Sequence, residues 1–137
     1  MRNAKQKGSN AERELIALFW KSGWAAHRIA GSGSSNFPSP DIIAGNFSKK
    51  FAIECKSTKS KNQYISKEQA EGLQKFSELF VAEPWVGVKF GREDWYFLPL
   101  KEIKKTEGEN LAINLEKARL LGLKFEDLIG EFEKGDK

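Results

Sequence analysis

Apolar residues recur along the chain at two periods, and the switches between those periods lay out its elements. Leu15, Ile16, Leu18 and Phe19 follow Ser9-Asn10-Ala11-Glu12, which has the S-x-x-E form of a capping box, and Gly23 comes after them. This pattern predicts a first helix over about residues 10–22. Trp24 to Ala30 reads as a first strand, and the glycines and prolines of Gly31 to Pro40 forbid regular structure beyond it. Asp41 to Ala44 is short and apolar, Gly45-Asn46 is a turn pair, and Lys50 to Lys56 alternates, so this stretch predicts a hairpin. Period two places Phe51, Ile53 and Cys55 on one face and Ala52, Glu54 and Lys56 on the other. Residues 57–65 read as a polar loop. Ser66-Lys67-Glu68-Gln69 forms a second capping box, and Ala70, Leu73, Phe76, Leu79 and Phe80 give the helix behind it an apolar stripe. Trp85 to Phe90 and Trp95 to Leu100 flank Gly91-Arg92-Glu93-Asp94 as a second hairpin, with Pro84 at its start. Toward the end come a short strand at Leu111 to Leu115, a helix at Glu116 to Leu121 stopped by Gly122, and a turn at Phe125 to Ile129. The expected fold is α/β, a central mixed five-stranded sheet flanked by helices.

Length and composition narrow the classes of function. A chain of 137 residues reads as one domain, with an ordered core over about residues 8–129 and a polar tail over 130–137. No apolar run approaches the roughly 20 residues of a membrane span, and Met1-Arg2-Asn3-Ala4-Lys5 leads into polar residues without a signal-peptide segment. A cytoplasmic location without membrane contact is expected. One cysteine permits no internal disulfide, and one cysteine with one histidine cannot build a zinc site from the usual ligands. Cys55 is expected as a small apolar core residue. His27, a lone strand histidine, receives no catalytic role. No G-x-x-x-x-G-K-S/T occurs, so nucleotide triphosphates are not expected as substrates.

Charge is distributed unevenly. Residues 1–61 carry 11 Lys or Arg against 4 Asp or Glu, whereas residues 62–137 carry 12 against 15. A basic field attracts polyanions, and phosphate contacts then supply affinity through counterion release. Three of the four acids in the basic half are Glu12, Asp41 and Glu54. The last two form a spaced trio with Lys56: Asp41, twelve residues, then Glu54-Cys55-Lys56. Phosphodiester hydrolysis needs a divalent cation, an activated water and charge stabilisation at phosphorus. A hard cation is held by one or two carboxylates with waters and phosphate oxygens, and a neighbouring lysine can orient the water or offset developing charge. On its own a Glu-x-Lys on a strand is more commonly a solvated surface pair. Glu54 and Lys56 point the same way, roughly 6.6 Å apart along the strand. Glu12 has a helix-end explanation of its own in the capping box, although a first-turn carboxylate packed over the sheet could also face a metal. Ser32 lies in a glycine-flanked loop that allows close approach to a phosphate, and Arg13 and Arg28 are candidate phosphate clamps. Phe76 and Phe80, at i and i+4, suit either a core stripe or a dimer seam.

Four segments together carry a resemblance: K-G-S-N-A-E-R-E-L at Lys7 to Leu15, R-I-A-G-S at Arg28 to Ser32, P-D-I-I-A-G at Pro40 to Gly45, and A-I-E-C-K at Ala52 to Lys56. In this order and spacing they resemble the archaeal Holliday junction resolvases, of the restriction-endonuclease-like nuclease superfamily. The likeness runs from residue 7 to about 100 and continues through L-E-K-A at Leu115 to Ala118. It departs in the loop before Asp41, where an extra Ser-Asn-Phe-Pro segment lengthens the chain.

The resemblance implies a homodimeric, Mg²⁺-dependent endonuclease, with Mn²⁺ able to substitute, that cuts four-way DNA junctions by paired nicks in recombination and repair. It implies catalytic roles for Glu12, Asp41, Glu54 and Lys56 and an accessory role for Ser32; the metal is expected to be held by Asp41, Glu54 and the Cys55 backbone carbonyl, with Glu12 supporting a second metal or a metal-bound water. Arg13 and Arg28 are the implied DNA contacts; Lys7, Gly31, Ser32, Lys59 and Lys61 are assigned to the same surface. Phe76 and Phe80 become the expected dimer interface. Two other classes stay open: a restriction- or repair-type nuclease acting on duplex or flapped DNA, and a non-catalytic junction-binding module.

Overall fold

The structure, a computed structural model, describes residues 4–31, 36–103 and 110–130. It opens on helix α1, Ala4–Lys21, whose Ala11, Leu15 and Phe19 recur every four residues and are buried together. Gly23, at φ 85, turns the chain out of the helix as expected. The start is a correction. Helix α1 begins at Ala4, so Ser9 to Glu12 lies within it and forms no capping box at its start. Glu12 is therefore not held by the helix end.

Strands β1 (Ala25–Arg28), β2 (Ile42–Gly45) and β3 (Lys50–Thr58) form an antiparallel meander. Strand β3 continues parallel to β5 (Glu83–Phe90), which turns back through the second hairpin into β6 (Trp95–Pro99). The result is the expected mixed five-stranded sheet, in the order β1-β2-β3-β5-β6. Parallel β3 and β5 need a crossover, and it is supplied by β4 (Asn62–Ser66) and helix α2 (Lys67–Phe80).

The two sheet faces follow the alternation of β3. Phe51, Ile53 and Cys55 join α1, Trp24, Ile42 and Phe97 in one core, while Ala52 joins Leu73 of α2, Val86, Val88 and Leu98 in the other. Trp24 stacks on Phe51 with ring centroids 4.7 Å apart. Gly87 on β5 is required by packing, since a Cβ there would meet the Phe97 ring at 2.9 Å.

Residues 57–65 are the second correction. Strand β3 runs on to Thr58, and Asn62–Ser66 is strand β4, paired antiparallel with β7 (Asn110–Asn114) in a ribbon outside the main sheet. The segment is polar because much of it is exposed; its structure depends on Leu111 and Ile113, which cover Ile65 from far along the chain. A short helix α3 (Leu100–Ile103), α4 (Leu115–Leu121, capped by Gly122) and α5 (Phe125–Leu128) complete the described chain. No helix among the described residues is long and apolar enough to cross a membrane. The expected frayed tail from Glu131 lies outside the described residues.

Candidate active site

Asp41 sits where β2 begins, locked by its backbone to both neighbours: its N–H donates to Ile53 O at 3.0 Å, and its carbonyl accepts from Ile29 N at 2.8 Å. The β2–β3 ladder stops at Ile42 opposite Ile53. On that edge the next N–H of β3, that of Cys55, donates instead to Asp41 Oδ2 at 2.8 Å. The carboxylate thus takes the place of a strand and is fixed at the end of the ladder.

Two further carboxylates converge on it from opposite faces. Glu12 comes from α1, half-buried, its Oε1 accepting from Arg28 Nε at 2.9 Å. Glu54 is buried on the α2 side of β3, with Lys56 Nζ 3.7 Å from its Oε2. Periodicity paired Glu54 with Lys56 correctly. A cleft of about 380 Å³ opens on this side, lined by Asp41, Glu54, Phe37, Pro38, Glu68 and Gln69 among others.

Burial, and after it the neighbouring Asp41, raises the proton affinity of Glu12 and Glu54. Burial, then the charge of Asp41, pushes the Glu54 carboxyl up to about 8, with Lys56 opposing. Burial and Asp41 also raise Glu12, against the hydrogen bond and charge of Arg28. The Cys55 thiol is held well above its ordinary value by burial and by Asp41, Glu12 and Glu54. Its Sγ lies in a group with Glu12 and Asp41 whose potential ligand atoms are all within 4.8 Å of one another. A thiol kept protonated is a poor metal ligand. Asp41, with Glu12 interacting on one side and Glu54 on the other, offers by contrast the carboxylate oxygens that suit a hard divalent cation, which also relieves their mutual repulsion. The donor set fits a divalent metal.

The remaining candidates are spread more widely. Arg13 is exposed on α1 and donates from Nη1 to Asn10 Oδ1 at 3.4 Å. Gly31 is exposed at φ 71, and Lys59 and Lys61 are exposed around the turn between β3 and β4. Lys7 belongs to α1 but its side chain lies outside the described residues, as does Ser32 altogether. Phe76 is partly buried against the α2 core, and Phe80, 41% exposed, lies 5.2 Å from it ring to ring.

Sequence reasoning missed Gln69, whose Oε1 accepts from Lys56 Nζ at 3.2 Å. Its place in the capping box was legible; its contact with β3 was not.

The family model for archaeal Holliday junction resolvase (Hjc) matches residues 3–136. The chain belongs to this family. The crossover junction endodeoxyribonuclease Hjc of Archaeoglobus fulgidus is 42% identical over 128 residues, covering 93% of this chain and 93% of its own. That of Methanocaldococcus jannaschii is 36% identical over 130 residues, covering 95% and 92%. The solved structure of Archaeoglobus fulgidus Hjc, described as a Holliday junction resolvase from an archaeal hyperthermophile, superposes with a TM-score of 0.81 at 40% identity. The match covers 90% of this chain and 100% of that one. The fold is restriction-endonuclease-like, as the resolvase resemblance implied.

Proposed function

We propose that this chain is a Mg²⁺-dependent endonuclease, with Mn²⁺ able to substitute, which resolves four-way DNA junctions by paired symmetric nicks as a homodimer. One observation carries the reading: Asp41, fixed by the Cys55 N–H at 2.8 Å, stands between Glu12 and the Glu54–Lys56 pair in a chain of the resolvase family. Asp41 and Glu54 hold the metal together with the Cys55 carbonyl. Support for the carbonyl comes from the strand itself, because the N–H and C=O of one residue point to the same side and the Cys55 N–H points at Asp41. When bound, the cation offsets charge on the scissile phosphate and lowers the pKa of a water. Lys56 orients the attacking water or neutralises charge at phosphorus, Glu12 supports a second metal, and Ser32 assists at the phosphate. The nick leaves a 5′-phosphate end that a ligase can seal.

Lys7, Arg13, Arg28, Gly31, Lys59 and Lys61 contact the DNA in this reading. Arg28→Ala is expected to weaken junction binding and to flatten the dependence of log K on log salt by about one unit, measured by anisotropy titration at several salt concentrations. An unchanged slope would mean that Arg28 serves only Glu12.

A twofold junction presents two equivalent scissile sites, and a C2 dimer presents two equivalent active sites. Phe76, Phe80 and the exposed Leu79 and Val81 at the end of α2, 78% and 77% exposed, support a dimer seam there. Sedimentation is expected to give a dimer at micromolar concentration and a monomer for Phe80→Asp. A stable wild-type monomer in the presence of junction would rule out paired nicking by a dimer.

The decisive assay offers synthetic junction, linear duplex and flap side by side with Mg²⁺ or Mn²⁺. Symmetric cleavage confined to the junction is the expected outcome. Equal cutting of duplex or flap would replace the reading with a restriction- or repair-type nuclease, and tight junction binding with no cutting would leave a binding module.

A further inference from the structure

We propose that Gln69 is a positioning residue for Lys56, setting the ammonium over the carboxylates from the first turn of α2. This rests on the role of Lys56 given above. A lysine is a point charge on a flexible four-carbon stem and does not by itself hold a direction. Glu54, 3.7 Å away, attracts Lys56 Nζ without fixing its angle, whereas Gln69 Oε1 accepts a hydrogen bond from it at 3.2 Å.

Gln69 is itself held. Its backbone N–H donates to Ser66 Oγ at 3.0 Å, and its Oε1 also accepts from the Ser66 N–H at 3.1 Å. Both lone pairs of Oε1 are therefore committed, one to the helix cap and one to Lys56. The same pair of donors settles the orientation of the amide, since a flip would aim its NH₂ at two N–H groups. Gln69 also lines the cleft that contains Asp41 and Glu54.

The third position of a capping box serves the helix equally with Glu or Gln. A neutral acceptor here holds the ammonium without adding another carboxylate beside Asp41, Glu12 and Glu54. The helix cap and the active-site lysine thus share one oxygen atom.

The test compares Gln69→Leu, Gln69→Glu, Ser66→Ala, Lys56→Met and the double variant Lys56→Met/Gln69→Leu. Each is measured for thermal midpoint, junction Kd, and single-turnover cleavage of a synthetic four-way junction at saturating enzyme with Mg²⁺. Gln69→Leu is expected to slow cleavage roughly 10- to 100-fold, the range for losing a residue that orients an active-site group, with Kd changed by less than about threefold. Gln69→Glu, which keeps the acceptor, restores most of the rate. Ser66→Ala lowers the thermal midpoint as Gln69→Leu does, yet cleaves near the wild-type rate. In the Lys56→Met background, Gln69→Leu costs nothing further. The proposal is overturned if Gln69→Leu cleaves within about twofold of wild type, if Ser66→Ala loses as much rate, or if the double variant is slower than Lys56→Met alone. Wild-type cleavage by Lys56→Met would instead overturn the role of Lys56, a separate failure.

Discussion

Asp41→Asn is expected to abolish junction cleavage in Mg²⁺, with a single-turnover rate at least ~10²-fold below wild type, while junction binding stays within a few-fold. The asparagine keeps an oxygen able to accept from the Cys55 N–H, so the end of the β2–β3 ladder is preserved. What is lost is one negative charge at the point where Glu12 and Glu54 converge. Removing that charge also lets Glu54 ionise at lower pH, because Asp41 is the second largest cause of its raised proton affinity after burial. Comparable cleavage by Asp41→Asn would show that the metal assignment is wrong.

The second large effect is on stability. In the unfolded chain Glu54 ionises near the ordinary glutamate value of 4.5; in the fold it is pushed up to about 8, by burial first and Asp41 second. Between those values the unfolded state has released a proton that the folded state keeps, so raising the pH favours unfolding. The stabilising contribution is complete below about 4.5 and is lost as the pH rises through about 8. Its size is roughly a few kcal/mol at one pKa unit per 1.36 kcal/mol. Glu12, also raised, acts in the same direction.

Thermal midpoints of metal-free protein are therefore expected to fall across pH 5 to 8. Glu54→Gln reduces that slope, and saturating Mg²⁺ offsets it at the alkaline end, because a cation binds the ionised site in the folded state alone. A slope identical in wild type and Glu54→Gln would remove Glu54 from the account.

How much of this was legible depended on the range of the interactions involved. The two hairpins, β2–β3 and β5–β6, were readable because strand alternation and turn residues are local signals. So was the cap of α2, where Ser66 and Gln69 satisfy each other within one helical turn. Strand β4 was not, since its partner β7 lies some 45 residues on and the core that buries Ile65 is assembled from distant parts of the chain. The start of α1 was misread because S-x-x-E is equally compatible with a helix interior, as Ala4–Lys21 shows. Gln69 reads locally as a capping residue; its second hydrogen bond is made to another element.

The sequence by itself determined the alternation that sets Glu54 and Lys56 on one face, the excess of basic residues around sparse acids, and the ordered motifs of the resolvase family. These depend on residue type and short spacing, and survive in the unfolded chain. Only the tertiary structure decided that α1 carries Glu12 to Asp41 from one side of the sheet while Glu54 faces α2 on the other. It also decided that Asp41 ends a strand ladder and that Lys56 is tied to α2. The physical reason is burial: proton affinity, cation binding and a fixed ammonium all arise from bringing charges out of water and close together, which packing does and composition cannot.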